Sequence, residues 1–393
     1  MSKPTPTVRI LRIIARLNIG GPAIHVTLLS EKLGAPLYES TLLTGSVAAD
    51  EGDMMYYAEQ HGVTPIIMPE LGREISPIRD LMTIWKVYRV IRALNPHVVH
   101  THTSKAGFVG RIAAKLAGVP VIVHTFHGHV FRGYFSPFVT QIFINLERIT
   151  ARMSDTVITL TEGLRRELAD EYRIIRRARI TVLPLGLDLQ RFADTPRKQG
   201  VFRASLNIPP DAPLIGIVGR LAPVKNHALF LRAAALIAKT IPAARFVIVG
   251  DGKLRAELET QIDALGLRAC VQITGWIAET APVYSDLDVL AISSVNEGTP
   301  VTVIEALAAG CPVVTTNVGG LSDLLDGGAL GALVPSENVE ALAHALIDAV
   351  QSPPDNAEIA RAQTLMLDRY GIERLVSDMD NLYRALLAKK GRS

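Results

Sequence analysis

Cysteine is scarce: Cys270 and Cys311 are the only two in 393 residues, and both sit in apolar segments. Two such residues make no disulfide framework and no thiolate metal site. They read as small core side chains in a reducing compartment. Long hydrophobic runs are missing too. No uninterrupted apolar stretch approaches the roughly 18 residues of a membrane-spanning helix. The N-terminal stretch MSKPTPTVRILRIIARL is broken by Arg9, Arg12 and Arg16 and lacks the apolar centre of a signal peptide, so a cytoplasmic location is expected. There is no short tandem repeat and no low-complexity tract, and no nucleic-acid partner is expected. Net charge is only +3, but it is unevenly spread. Up to Gln190 there are 22 Lys/Arg against 16 Asp/Glu, a net +6; after it, 19 against 22 give −3. A basic front half fits an anionic partner or membrane surface, and it also fits a plain solvated face.

What is present is a large core. Hydrophobic residues make up 48% and charged residues 20%, which argues against disorder, and the length suits two to three domains of ~150 residues. The stretch from Ser293 to Gly310, SSVNEGTPVTVIEALAAG, organises the rest. Thr299 is expected to cap a helix that has Pro300 in its first position, with Val301, Ile304, Leu307 and Ala308 on the apolar face and Gly310 as the stop. Glu297 then lies in the loop before the helix, and Glu305 inside its first turns. Both can reach a ligand at the helix N-terminus, where free amides and the dipole favour anions. Apolar runs at 289–292 and 312–315 flank the unit as strands, giving a βαβ pattern whose ligand edge is the carboxyl end of the first strand. The plainer alternative makes Glu305 a partly exposed helix charge and Glu297 an ordinary loop residue.

The same alternation fills the chain. A strand at 8–15 runs into Leu17-Asn18-Ile19-Gly20-Gly21-Pro22 and a helix to Leu33 that carries His25 on its first turn. Strands at 41–43, 64–68, 98–100, 119–125, 156–160 and 180–183 alternate with helices at 78–94, from about 107 to 116, and 162–172. The stretch from Tyr134 to Met153, with Arg148 and Arg152, reads as a core-facing helix, with a membrane-surface helix as the alternative. Prolines 196, 209, 210 and 213 mark a domain boundary. Strands at 214–218, 246–249 and 271–274 follow, with a helix capped by Asn226, and helices near 337–351, 356–368 and 372–389 end the chain. Repeating βα units with apolar strands imply an α/β fold with doubly wound parallel sheets.

Chemistry-bearing residues gather at the carboxyl ends of these strands. Arg220 and Lys225 follow the 214–218 strand beside a helix start, a fork and a point charge suited to a diphosphate. Glu305 suits the two hydroxyls of a ribose. Gly250 and Gly252 allow close backbone approach. His100, His102, His124, His127 and His129, half of the ten histidines, cluster at or past two strand ends. Without an accompanying carboxylate or cysteine they read as imidazoles facing a polyhydroxylated ligand, with one or two of them satisfied structural histidines, and a metal site is the lesser alternative. Asp286-Leu287-Asp288 has the DxD pattern of a metal site, yet it precedes the 289–292 strand, at the edge opposite the ligands.

GRLAPVKN, VGDG, NEGTPVTVIEALAAG and the early NIGGP closely resemble the retaining family 4 glycosyltransferases of GT-B fold, over essentially the whole chain. The resemblance implies two Rossmann-like domains facing each other across a cleft. They would be residues 1–193, onto which a helix at 372–393 crosses back, and residues 194–371. It implies a nucleotide-sugar donor, with a UDP-sugar expected, no cofactor and no metal, and a sugar or lipid-linked glycan acceptor. By motif, Gly21 lies near the diphosphate and acceptor, His127 beside the donor sugar, and Arg220 and Lys225 at the diphosphate. Glu297 takes sugar hydroxyls with the amides of Gly298, Thr299, Pro300 and Val301 alongside (proline itself having none). Glu305 takes the ribose, and Trp276 and Ile277 lie where the base stacks. His127, Glu297, Arg220 and Lys225 are the expected catalytic group. Thr-His-Thr-Ser-Lys-Ala-Gly and His-Thr-Phe-His-Gly-His resemble a bacterial polysaccharide or lipid-linked glycan subgroup, for which peripheral contact with the anionic inner face of the plasma membrane is an open expectation. Rival functions on the same architecture are a nucleotide-sugar epimerase, a sugar phosphorylase and a non-catalytic nucleotide-sugar sensor.

Overall fold

The computed structural model of the chain describes residues 7–47, 52–72, 77–128, 131 and 136–391. The chain divides into two compact units. One runs to Leu187 and takes up the chain again from Ile372; the other spans Asp188–Gly371.

The first unit is built on parallel strands β1 (Val8–Arg16), β2 (Tyr38–Gly45), β3 (Ile66–Ile67), β4 (Val98–His102), β5 (Val121–Phe126), β6 (Thr156–Thr159) and β7 (Ile180–Val182). Their order in the sheet is β3-β2-β1-β4-β5-β6-β7. Successive side chains point to opposite faces, and both faces are covered, which is why these strands are so rich in Val and Ile. Ile10, Val98 and Val123 pack with Leu28 and Leu29 of the helix Gly21–Lys32 and with Leu375 and Met379 of the helix Ile372–Lys389. Leu11, Val99 and Ile122 pack on the other side with Val87 and Ile91 of the helix Pro77–Leu94 and with Val109 and Ala113 of the helix Ser104–Ala117. The C-terminal helix is held specifically. Arg374 donates to the carbonyls of Pro184 and Leu185 at 2.8 and 2.7 Å. At Gly186 a Cβ would lie 2.4 Å from Leu375 Cβ, so only glycine lets the helix come this close.

The second unit carries parallel strands β8 (Leu214–Val218), β9 (Arg245–Val249), β10 (Val271–Gly275), β11 (Val289–Ile292), β12 (Val313–Thr316) and β13 (Ala332–Val334) in the order β10-β9-β8-β11-β12-β13. This is the Rossmann strand order. It reverses between β8 and β11, and the carboxyl edge at such a reversal is where ligands bind. Its core joins Phe246 and Ile248 to Phe230 and Ile237 of the helix His227–Thr240 and to Leu342 and Leu346 of the helix Val339–Gln351.

Several local expectations need correction. The segment 101–107 is not a loop. β4 continues through His102 and a helix begins at Ser104, so Thr103 alone makes the turn, at φ 64°. The 162–172 helix stops at Arg166 and widens into a π turn over Glu167–Glu171. β13 escapes the sequence pattern because it has three residues in a glycine-rich stretch. His129 and Tyr134 lie outside the described residues; the helix near Tyr134 is Pro137–Ala151.

Candidate active site

In the second unit the loops after β8 and β11 flank the strand reversal and are tied together. The Val295 amide donates to the Val224 carbonyl at 2.9 Å, and the Ser293 hydroxyl donates to the carbonyls of Lys225 and Asn226 at 2.9 and 3.0 Å. This lacing brings two of the expected residues into contact. Lys225 Nζ donates to Glu297 Oε1 at 2.6 Å, and Ser294 Oγ reaches the same oxygen at 2.6 Å. The two side chains are only 24% and 9% exposed, so the pair is well shielded from water. Sequence reasoning gave the two residues separate roles and did not foresee the ion pair. Arg220 is exposed and makes no ion pair among the described residues.

Backbone proximity explains the glycines around this pair. At Gly250, φ is 145° and a Cβ would lie 2.0 Å from the Gly219 carbonyl oxygen; at Gly252 it would lie 2.5 Å from that of Leu221. The Asn317–Gly320 loop is a further support that sequence reasoning left without a role. The Gly320 amide donates to the Glu297 carbonyl at 3.1 Å, and a Cβ at Gly319 would meet that same oxygen at 1.8 Å. Two adjacent glycines at this place were the available signal.

The helix that follows is Val301–Ala308, one residue later than expected. Thr299 does not cap it. Pro300 holds the N-cap position at φ −71°, ψ 113°, and no side chain bonds to the first-turn amides. Proline cannot serve as a side-chain cap, so the helix start, with Gly298 and Thr299 just before it, is left open to an anion. Asn226 likewise sits at the N-cap of its helix but in the left-handed region at φ 48°, without a side-chain cap bond.

Glu305 is not a partly exposed surface charge. It is 8% exposed and accepts a hydrogen bond from the Tyr284 hydroxyl at 3.0 Å. Burial pushes its carboxyl up to about 7, against the smaller opposing effects of the Tyr284 hydrogen bond and the Arg191 charge. Tyr284 was missed because a tyrosine in a short apolar helix, Ala281–Asp286, reads as core; nothing in its spacing points to Glu305. Trp276, 46% exposed, and the half-buried Ile277 follow β10 at the same carboxyl edge, two strands from β8. Asp286 and Asp288 are structural. The Asp286 carboxylate accepts from the amides of Gly200, Phe202 and Arg203, and that of Asp288 accepts from the Leu214 amide and the Arg203 guanidinium.

In the first unit Gly21 opens its helix beside Gly20. The histidines divide into two groups. His100 is spent internally, with Nδ1 against the Tyr383 hydroxyl at 2.6 Å and Nε2 against the Thr125 hydroxyl at 2.7 Å. His124 Nδ1 meets the Thr101 hydroxyl at 2.8 Å. These two are core histidines, not a ligand-facing row. His102 Nδ1 and His127 Nε2 are 3.1 Å apart, and the His25 ring stands edge-on to that of His127 with centroids 5.0 Å apart. Both ring nitrogens of His25, with His102 Nε2 and His127 Nδ1, lack partners among the described residues. Burial depresses all three, His127 to about 4, so they are neutral imidazoles at neutral pH. A ring nitrogen from each lies within 4.8 Å of the others, which suits either hydroxyl groups or a cation, and no carboxylate or thiolate joins them among the described residues. His25 joins this trio from the helix after β1, while His102 ends β4 and His127 follows β5, a meeting that sequence spacing does not reveal.

Comparison with known proteins fits this geometry. Residues 198–365 match the model of "Glycosyl transferases group 1", and residues 20–186 match that of "Glycosyl transferase 4-like domain". The chain is 28% identical to the UDP-Gal:alpha-D-GlcNAc-diphosphoundecaprenol alpha-1,3-galactosyltransferase of Escherichia coli, covering 88% of this chain and 89% of that one. It is 30% identical to the 2-deoxystreptamine glucosyltransferase of Streptomyces kanamyceticus, covering 84% and 89%. The structure of Anabaena HepE in complex with UDP shares the fold, with a TM-score of 0.81 at 22% identity over 96% of this chain and 100% of that one. With two Rossmann-like parallel-sheet units and matches that run through both, the chain belongs to the family 4-type glycosyltransferases of GT-B fold.

Proposed function

We propose that this glycosyltransferase moves a hexosyl or N-acetylhexosaminyl group from a UDP-sugar, with retention at the anomeric carbon and without a metal, onto a hydroxyl of a lipid-linked glycan at the cytoplasmic leaflet. The carrying observation is the Lys225–Glu297 pair, 2.6 Å apart beside an uncapped helix start at the strand reversal. The Escherichia coli relative, named for a UDP-sugar donor and a diphosphoundecaprenol acceptor, supports the donor and acceptor classes. In this reading Glu305 takes the ribose, Trp276 and Ile277 the base, and Gly250 and Gly252 let the loop after β8 close in beside the diphosphate. To His127 we assign a sugar hydroxyl, and to Gly21 the neighbourhood of the diphosphate and acceptor. The bond from C1 to the β-phosphate oxygen breaks first. Arg220, Lys225 and the amides near Gly298, Thr299 and Val301 hold the departing charge, the electrostatic contribution that usually dominates. The acceptor oxygen then bonds to C1 on the same face, and its proton passes to the leaving phosphate. Glu297 as a covalent nucleophile is the lesser alternative, because Oε1 already holds Lys225 and Ser294.

The test is a thermal-shift panel of nucleotide sugars followed by transfer assays with the best donor, since a true donor stabilises the fold through binding linkage. Full transfer in excess EDTA and an unchanged anomeric configuration in the product are expected. Activity lost to chelator and restored by Mg²⁺ or Mn²⁺ contradicts the cationic clamp and turns attention to the His25, His102 and His127 trio.

A further inference from the structure

The helices Pro77–Leu94, Ser104–Ala117 and Pro137–Ala151 pack side by side in the first unit, with Ser104–Ala117 between the other two. Their inner faces fill the core, yet their outer faces are also apolar. Ile78 (77% exposed), Leu81, Met82 and Trp85 (61% exposed) recur at i, i+3, i+4 and i+7, one stripe on the solvent side of the first helix. Trp85 stacks on Tyr88 with ring centroids 5.3 Å apart. Phe138, 77% exposed, and Ile142 extend the same character on the third helix. Contiguous exposure of this kind marks an interaction surface.

The charge on these helices has one sign at the surface. Their only acids, Asp80 and Glu147, are buried and paired, with Lys105 at 3.1 Å and Arg111 at 2.6 Å. Exposed Arg89 and Arg92, at i+4 and i+7 from Trp85, continue the stripe's face towards the end of its helix, and Lys115 is exposed on the middle helix; Lys86 is offset by Glu70 on the neighbouring turn. Of the two basic residues that the sequence put forward, Arg148 is committed elsewhere, to the Tyr172 and Arg173 carbonyls, and Arg152 is exposed just past the end of the third helix.

We propose that this outer face, centred on Trp85, seats the first unit on an anionic lipid bilayer. Aliphatic side chains and an indole enter the interfacial region, and the flanking guanidinium and ammonium groups meet anionic headgroups. A second copy of the chain is the poorer occupant, because a two-fold contact would set this cationic face against itself. The inference goes beyond the proposed chemistry: it rests on that reading only for the lipid-linked acceptor, and it can fail alone.

The experiment is flotation of the full chain with vesicles of phosphatidylglycerol and phosphatidylcholine, against phosphatidylcholine alone, at low and high salt. Binding to anionic vesicles at least about tenfold stronger than to neutral ones, weakening with salt, is expected. Brominated acyl chains should quench Trp85 fluorescence. L81E/W85E and, separately, R89E/R92E should each reduce binding by about tenfold or more, while release of UDP from the donor stays unchanged. Absence of binding to anionic vesicles, or binding that both double variants leave intact, overturns the proposal. So does a concentration-dependent dimer that L81E/W85E dissociates. Loss of UDP release in the wild-type chain would instead count against the proposed function.

Discussion

Replacing Lys225 by alanine should lower kcat by roughly 10²–10³-fold, the scale for removing one preorganised charge stabiliser. Two effects act together. The leaving diphosphate loses a cation, and Glu297 loses the ammonium 2.6 Å from Oε1 and keeps only the Ser294 hydroxyl on that oxygen. An uncompensated carboxylate beside an incoming diphosphate raises the electrostatic barrier further. Arg220→Ala should also fall within roughly 10²–10³-fold, without any effect on Glu297. The double variant should lose less than the product of the two, because both cations act on one developing charge. Adding Glu297→Ala to Lys225→Ala should restore part of the lost donor binding while turnover stays poor. Steady-state kinetics on the four proteins with the assigned donor checks this. Additive losses, or a Lys225→Ala enzyme with near-normal kcat, would remove Lys225 from the leaving-group role.

Glu305 should make UDP binding depend on pH near neutrality. Two ribose hydroxyls donate to a carboxylate, so the ionised form is the binding form. With the carboxyl pushed up to about 7 by burial, affinity should fall about tenfold per pH unit below that point and level off above it. Glu305→Ala should weaken UDP and donor by about 10²-fold alike with little change in kcat, since a ribose contact is made equally in ground and transition states. Tyr284→Phe removes the hydroxyl that favours the ionised form, so the midpoint should move to higher pH. The same burial has a stability consequence of opposite sign to an ordinary salt-bridged acid. The folded carboxyl holds its proton to about 7 and the unfolded one only to about 4.5. Stability is therefore undiminished below the lower value and is lost as pH rises to the upper one, by up to about 3 kcal/mol. Glu305→Gln should raise Tm at pH 8, leave it nearly unchanged at pH 4, and abolish the pH dependence of UDP affinity. Calorimetric titration and thermal unfolding across that range measure both.

The sequence carried the architecture because buried parallel strands and amphipathic helices alternate with strong periodicity. The apolar runs that become β1, β4, β8 and β11 are legible for that reason. In the candidate site, the place of Arg220, Lys225 and Glu297 in the loops after β8 and β11 was legible, because residue type at a strand end follows from the ligand chemistry proposed there. The site was not legible where a contact joins distant segments. Tyr284 meets Glu305 through helix packing across 21 positions. His100 is satisfied by Tyr383, 283 positions away, so no local pattern could separate it from His102. Thr299 failed as a cap because Pro300, extended at ψ 113°, holds the N-cap position itself. The exposed stripe on the 77–94 helix was hidden by its own amphipathic pattern: apolar residues on both faces look, in one dimension, like a wider core-facing side.

The most direct test is a crystal structure of the chain with UDP. The diphosphate should lie against Lys225 and Arg220 at the start of the Val301–Ala308 helix, with both ribose hydroxyls on Glu305 and no metal ion bridging the phosphates. UDP bound away from the β8–β11 reversal, or a diphosphate held through a divalent ion with Lys225 still closed on Glu297, would contradict this arrangement.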